Sequence, residues 1–178
     1  MLVNLKEIVA PAYEGRYAVG SFNCYSYETF RGCIAAGEET GTPVIAAFGA
    51  AYLANMSLDT AHAIVASLAR AASIPVCLHL DHCSDLDVIH RAIKAGFGSV
   101  MYDGSALPFA ENVANTRTVC RAAHACGVSV EAELGSLAVG ADSHEGRTED
   151  VEQYTDPAAA REFVEARLGP LLRFDAAK

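Results

Sequence analysis

The chain has 178 residues, a formal net charge of −9, and 52% hydrophobic residues with no tryptophan. That length supports one domain with a real core and excludes two comfortable ones. The acidic balance excludes nucleic acid or an anionic membrane as the main partner, but leaves room for a phosphorylated substrate held by local donors.

No stretch is long and apolar enough to span a bilayer, and Met1 to Lys6 lacks the layout of a signal peptide. Six cysteines (24, 33, 77, 83, 120 and 126) include no C-x-x-C. They read as reduced, buried thiols of a cytosolic protein.

Punctuated strand–helix units then recur along the chain. Tyr17 to Phe22 predicts a first strand, and Glu28 to Thr40 a helix that stops at Gly41. Pro43 to Phe48 predicts a second strand, followed by a helix over Asp59 to Ala72 with Ser57 as its cap. Pro75 to Leu80 is the third strand, an apolar run between turn signals. Ser84, with Asp87 three residues on, reads as the N-cap of the next helix, which stops at Gly96. Ser99 to Asp103 is the fourth strand, and Pro108 opens a helix that ends before Gly127. Val128 to Leu134 is the fifth strand; a polar loop from Gly135 to Thr155 and a helix from Pro157 complete the pattern.

Strands alternating with helices mean parallel βαβ units. Two α/β architectures compete. One is a doubly wound open sheet. The other is a (β/α)8 TIM barrel, of which these are the first five βα units and a sixth helix. Length alone favours the open sheet, since a barrel takes about 250 residues. No G-x-G-x-x-G or G-x-x-x-x-G-K-[ST] loop follows any strand, which removes the strongest signs of the nucleotide-binding versions.

The strand ends carry the chemistry. Asn23 follows the first strand; His79, Asp81 and His82 close the third; Asp103 closes the fourth; Glu131 and Glu133 lie on the fifth. In α/β folds that end of the sheet is where ligands bind. His79 and Asp81 share a strand face, as do Glu131 and Glu133. Inward carboxylates need a cation, a basic side chain or a proton. A carboxylate beside a histidine can hold a metal and move a proton. Cys83 reads as structural, and His62, His90 and His124 as surface residues on helices. In the loop after the fifth strand, Asp142 and Glu145 offer carboxylates that could reach over the same mouth.

Several segments together are familiar. They are Gly20-Ser21-Phe22-Asn23, Pro43-Val44-Ile45, Pro75 to His82, Gly98 to Ser105, Val130 to Gly135, and Tyr154-Thr155-Asp156-Pro157. From about Leu5 to Glu165 the chain resembles the zinc-dependent class II aldolases that act on fructose and tagatose bisphosphate. The resemblance implies a (β/α)8 barrel and a reversible aldol cleavage giving dihydroxyacetone phosphate and an aldehyde, with Zn2+ as Lewis acid. It assigns Asp81 as the acid/base serving the aldehyde oxygen and His82 as a metal ligand. It places Asp103 and Glu133 around the metal, Asn23 at the substrate, and Asp142 or Glu145 as the loop base. It also implies a phosphorylated ketose as partner and a tendency to form homo-oligomers.

Two further zinc-binding histidines and a glycine-rich phosphate loop come, in that family, from strands beyond the fifth. Residues 166–178 read as a divergent tail broken by Pro170 and Arg173, following a barrel portion over residues 1–165. The expectation is a C-terminally truncated member with weak zinc binding and impaired activity. The competing reading is a non-catalytic remnant or interaction module of the same family. A third is a self-sufficient open-sheet metal protein with other chemistry.

Overall fold

The computed structural model describes residues 1–135 and 155–168. Five strands form one parallel sheet: β1 (Ser21–Asn23), β2 (Val44–Gly49), β3 (Val76–Cys83), β4 (Ser99–Tyr102) and β5 (Ser129–Ala132). The helices are α1 (Leu5–Gly15), α2 (Tyr27–Thr40), α3 (Leu58–Ala71), α4 (Leu86–Ala95), α5 (Phe109–Ala125) and α6 (Pro157–Leu168). A short 3-10 helix, Ala50–Ala54, follows β2.

The strand order is 1-2-3-4-5, with every neighbouring pair parallel. This order decides between the two architectures. A doubly wound sheet reverses direction at a switch point, and no reversal occurs here. Right-handed crossovers that always step the same way keep α2 to α5 on one face of the sheet. The result is an arc of a barrel with its helices outside.

The two faces of the sheet have different partners. Ala46 and Phe48, Leu78 and Leu80, Val100 and Tyr102, and Val130 pack with Phe30, Val65, Ile89 and Val119 of the helices. Phe48 joins this layer through ring contacts with Phe30 and Phe97 at 6.4 and 6.5 Å. Ile45 and Cys77 point the other way, into a small cluster with Val3 and Ile8. Thus α1 lies under the inner face at its N-terminal end and closes that end of the core. Burial, with Glu7 nearby, pushes the Cys77 thiol up to about 12, so it stays protonated in that cluster.

Helix α1 lies ahead of the strand–helix pattern that begins, in the sequence, at Tyr17. Its signal is local: Asn4 caps the helix and Glu7 returns a bond to the Asn4 N–H, a capping box. Other boundaries move for similar reasons. The first strand is only Ser21–Asn23, and all three residues are exposed, because it is an edge that pairs with β2 alone. Asp85, not Ser84, caps α4, accepting from the N–H groups of Asp87 and Val88. Pro108 stands at the cap of α5 rather than inside its first turn. The cap by Ser57 and the helix stops at Gly41 and Gly96 fall as expected.

Residues 1 to 3 bridge to the start of β3, with Val3 N–H donating to Val76 O at 2.9 Å. Gly98 sits against this segment: a Cβ there would lie 2.5 Å from the Val3 carbonyl oxygen, a backbone atom that cannot swing away. Gly98→Ala is therefore expected to destabilise the chain by about 1–3 kcal/mol, read as a lowered urea midpoint with an unchanged slope.

Candidate active site

Strand β3 builds the site by breaking its own alternation. Its register with β4 runs His79–Ser99, Leu80–Val100, then Cys83–Tyr102. Three steps on β3 therefore match two on β4, which is a bulge with one extra residue. Without it, His82 would turn to the helices and Cys83 inward. With it, Cys83 is buried among the helix-facing residues, and Asp81 and His82 both face the mouth. His82 takes φ of 43°, in the left-handed region that a side-chain-bearing residue occupies at a cost of about 1–2 kcal/mol.

The mouth then collects its charged groups. His82 Nδ1 lies 3.2 Å from Asp103 Oδ2 and 3.5 Å from Glu133 Oε2. One donor atom from each of His82, Asp103 and Glu133 falls within 4.8 Å of the others. The Glu133 Oε2 is buried and meets His82 as an ion pair rather than a hydrogen bond.

Both Asp103 oxygens are oriented: Oδ1 accepts from the Ser105 N–H and hydroxyl at 3.1 and 2.6 Å, and Oδ2 faces His82. The His82 hydrogen bond, reinforced by Ser105 and opposed by burial, lowers the Asp103 pKa to about 2.

A metal ion fits this donor set on its chemistry. Zinc bound by imidazole nitrogen and carboxylate oxygen at about 2.0–2.2 Å in a tetrahedron needs donors roughly 3.3–3.6 Å apart. The separations from His82, 3.2 and 3.5 Å, lie close to that, and all three donors fall within 4.8 Å of one another. Binding requires loss of the Nδ1 proton, which an ion replaces.

Further expected residues take their places. Asp81 is one-fifth exposed on the same face, with His79 Nε2 3.7 Å away. Glu131 lies 3.6 Å from that same nitrogen, so an imidazole serves this inward acid. Asn23 is exposed at the end of β1, and register carries it through Ala47 to the level of His79 on the same face. Asp142 and Glu145 lie outside the described residues, as does most of the tail over residues 166–178. Cys83 donates to Asp85 O at 3.4 Å, and burial raises its pKa, which suits a structural thiol. His90 is exposed, while His62 and His124 are half-buried.

Sequence reasoning missed supporting residues on helices. Asn112 in α5 is buried and donates to the Glu133 carbonyl at 2.9 Å; Thr116 in turn donates to Asn112 at 3.1 Å. The available signal is a polar pair four residues apart on an otherwise apolar helix face. Tyr52, from the 3-10 helix, is another. Its pKa is raised by burial first, then by Tyr25 and the charge of Asp81. Tyr25 stacks obliquely on it at 5.3 Å.

A parallel barrel arc with imidazole and carboxylates at the C-terminal strand ends defines a metal-capable acid–base site. The comparisons name its family. The profile described as "Fructose-bisphosphate aldolase class-II" matches residues 3–170, and the chain belongs to that family of lyases. The chain is 41% identical over 167 residues to a fructose-bisphosphate aldolase of Thermus caldophilus, covering 93% of this chain and 53% of that one. It is 37% identical over 132 residues to a sulfofructosephosphate aldolase of Alkalicoccus urumqiensis, covering 74% and 46%. Among solved structures, the YdjI aldolase of Escherichia coli K12 superposes with a TM-score of 0.80 at 35% identity, over 94% of this chain and 58% of that one. The five-stranded sheet thus aligns with the N-terminal part of TIM-barrel aldolases. The chain spans about half the length of the curated relatives it matches.

Two outcomes follow from this geometry. Because Asp103 titrates lower in the folded chain, its stabilisation is full above its ordinary pKa of 3.8 and is lost as pH falls toward about 2. Asp103→Asn should flatten this acid limb in urea unfolding of the metal-free chain. Second, His82→Gly should be more stable than His82→Ala by roughly 1 kcal/mol in thermal melts, since only glycine takes the left-handed backbone freely.

Proposed function

We propose that this chain carries the proton carrier and part of the metal site of a reversible aldol cleavage of a phosphorylated ketose. The products are dihydroxyacetone phosphate and an aldehyde. The observation that carries this reading is the convergence of His82, Asp103 and Glu133 beside Asp81, produced by the extra residue in β3. Family membership and the names of its relatives support the substrate class.

His82, Asp103 and Glu133 would hold Zn2+, which supplies Lewis-acid polarisation of a ketone when bound. Asp81 stands on the inner face next to these donors and is partly open to the mouth. In the cleavage direction its carboxylate takes the proton from the hydroxyl that becomes the aldehyde carbonyl. In the condensation direction it returns that proton to the aldehyde oxygen. Asn23, exposed at the rim of the same face, orients a substrate hydroxyl. Asp142 or Glu145 is assigned the proton exchange at the carbon of the ketone half. Tyr52 is close enough to Asp81 to feel its charge, and Tyr25 rests on the Tyr52 ring.

The test uses the chain titrated with zinc and assayed for dihydroxyacetone phosphate release from fructose and tagatose bisphosphate. His82→Ala should weaken zinc binding on the order of 100-fold, measured by competition with a chromogenic chelator. Asp81→Ala should keep the zinc but lower kcat by about 10²–10⁴-fold. No release above background from the zinc-loaded chain would instead favour a non-catalytic member of the family.

A further inference from the structure

One buried imidazole in the mouth belongs neither to the metal donors nor to the proton carrier. His79 is only 2% exposed. It pairs in register with Ser99 of β4, and its Nδ1 lies 2.9 Å from the Ser99 hydroxyl, itself fully buried. Its other nitrogen, Nε2, faces two carboxylates at nearly equal distance: Asp81 Oδ1 at 3.7 Å and Glu131 Oε2 at 3.6 Å. The ring therefore links β3, β4 and β5 across the inner face.

The donor and acceptor roles follow from the partners. Ionised carboxylates only accept, so Nε2 carries a proton. Nδ1 meets the Ser99 hydroxyl at 2.9 Å, which fixes the plane of the ring. The two carboxylates stand beyond hydrogen-bond length, so one N–H dipole lies between two like charges. Removing the ring would take that dipole from between the two acids, and their mutual repulsion would loosen the hold on where Asp81 points. His79 is too enclosed to touch a substrate, so its effect on chemistry passes through the carboxylates it faces, of which Asp81 is the proposed proton carrier.

We propose that His79, anchored by Ser99, is a positioning residue that keeps the Asp81 carboxylate aimed into the mouth and apart from Glu131. Its catalytic consequence rests on the reading of Asp81 as proton carrier.

The zinc-loaded chain and its variants provide the test. His79→Leu should lower kcat about 10–100-fold, the usual cost of removing an orienting partner, with KM changed by no more than about twofold. His79→Gln, which keeps a donor near the Nε2 position, should recover part of this loss. Zinc stoichiometry should be unchanged in both. In an Asp81→Ala background His79→Leu should add little further loss. An equal drop in both backgrounds, or a change confined to KM, would overturn the assignment.

Nitrogen NMR of labelled histidine gives an arm free of turnover. The wild-type spectrum should show His79 protonated at Nε2, with the Nε2 resonance moved by Asp81→Asn and the Nδ1 resonance moved by Ser99→Ala. If the wild-type chain releases no product, the proton-carrier reading falls, and this arm alone decides whether His79 holds Asp81. An Nε2 resonance unmoved by Asp81→Asn would end the assignment even in an active chain. Should His79→Leu fail to fold, His79→Gln and the spectra of the other variants still separate these outcomes.

Discussion

Between Leu80 and Cys83, β3 spends one residue more than β4 spends between Val100 and Tyr102, and the site depends on that surplus. Regular alternation can send only every second residue of a strand to one face. The bulge lets two adjacent residues, Asp81 and His82, face the mouth while Cys83 returns to the helix-facing core. The residues proposed as proton carrier and metal donor thereby become neighbours in sequence and in space. The left-handed backbone at His82 is the strain this requires. It is held by ordered surroundings: the Asp103 N–H donates to Cys83 O at 3.0 Å, and Asp103 itself grips the His82 ring.

The electrostatics of the mouth have one logic. Four acids, Asp81, Asp103, Glu131 and Glu133, meet two imidazoles in a partly buried space. Each imidazole stands between two acids: His79 between Asp81 and Glu131, His82 between Asp103 and Glu133. The two groups differ in what else supports them. His79 is enclosed and tied to Ser99, which suits a fixed spacer. His82 is about one-third exposed, with a donor spacing close to that of a small divalent ion. The more open imidazole thus stands where a cation can replace its proton, and the enclosed one serves its two acids as an internal partner.

The scaffold explains why these groups stay in place. The inward residues of β3, β4 and β5, and those that directly follow these strands, stand on strands whose opposite face is packed by helices, so backbone shifts are resisted from outside. From below, α1 fills the N-terminal end of the inner face with Val3 and Ile8 against Ile45 and Cys77. Among the described strand residues, the inward carboxylates Asp81 and Glu131 lie toward the C-terminal end. Support also comes from beyond the first contacts: Asn112 and Thr116 fix the backbone at Glu133 from α5, and Ser105 fixes Asp103. Such partners set where a ligand atom points as much as the ligand itself does.

The sequence by itself determined the strand–helix rhythm, the family, and which polar residues stand at the strand ends. Apolar runs, caps at Ser57, and stops at Gly41 and Gly96 are local signals that tertiary packing did not override. Asp81, His82, Asp103 and Glu133 were legible because strand ends are read from the same runs. What only the tertiary structure decided was how they face one another. Strand order separates a barrel arc from a doubly wound sheet, and spacing along one chain does not encode which strands pair. The extra residue in β3 is defined only against the register of β4. The roles of Ser99 and Asn112 arise from elements 20 or 21 residues away from their partners. Local signals fix what each segment becomes. Contacts between segments fix which face a side chain meets, and the chemistry depends on that face.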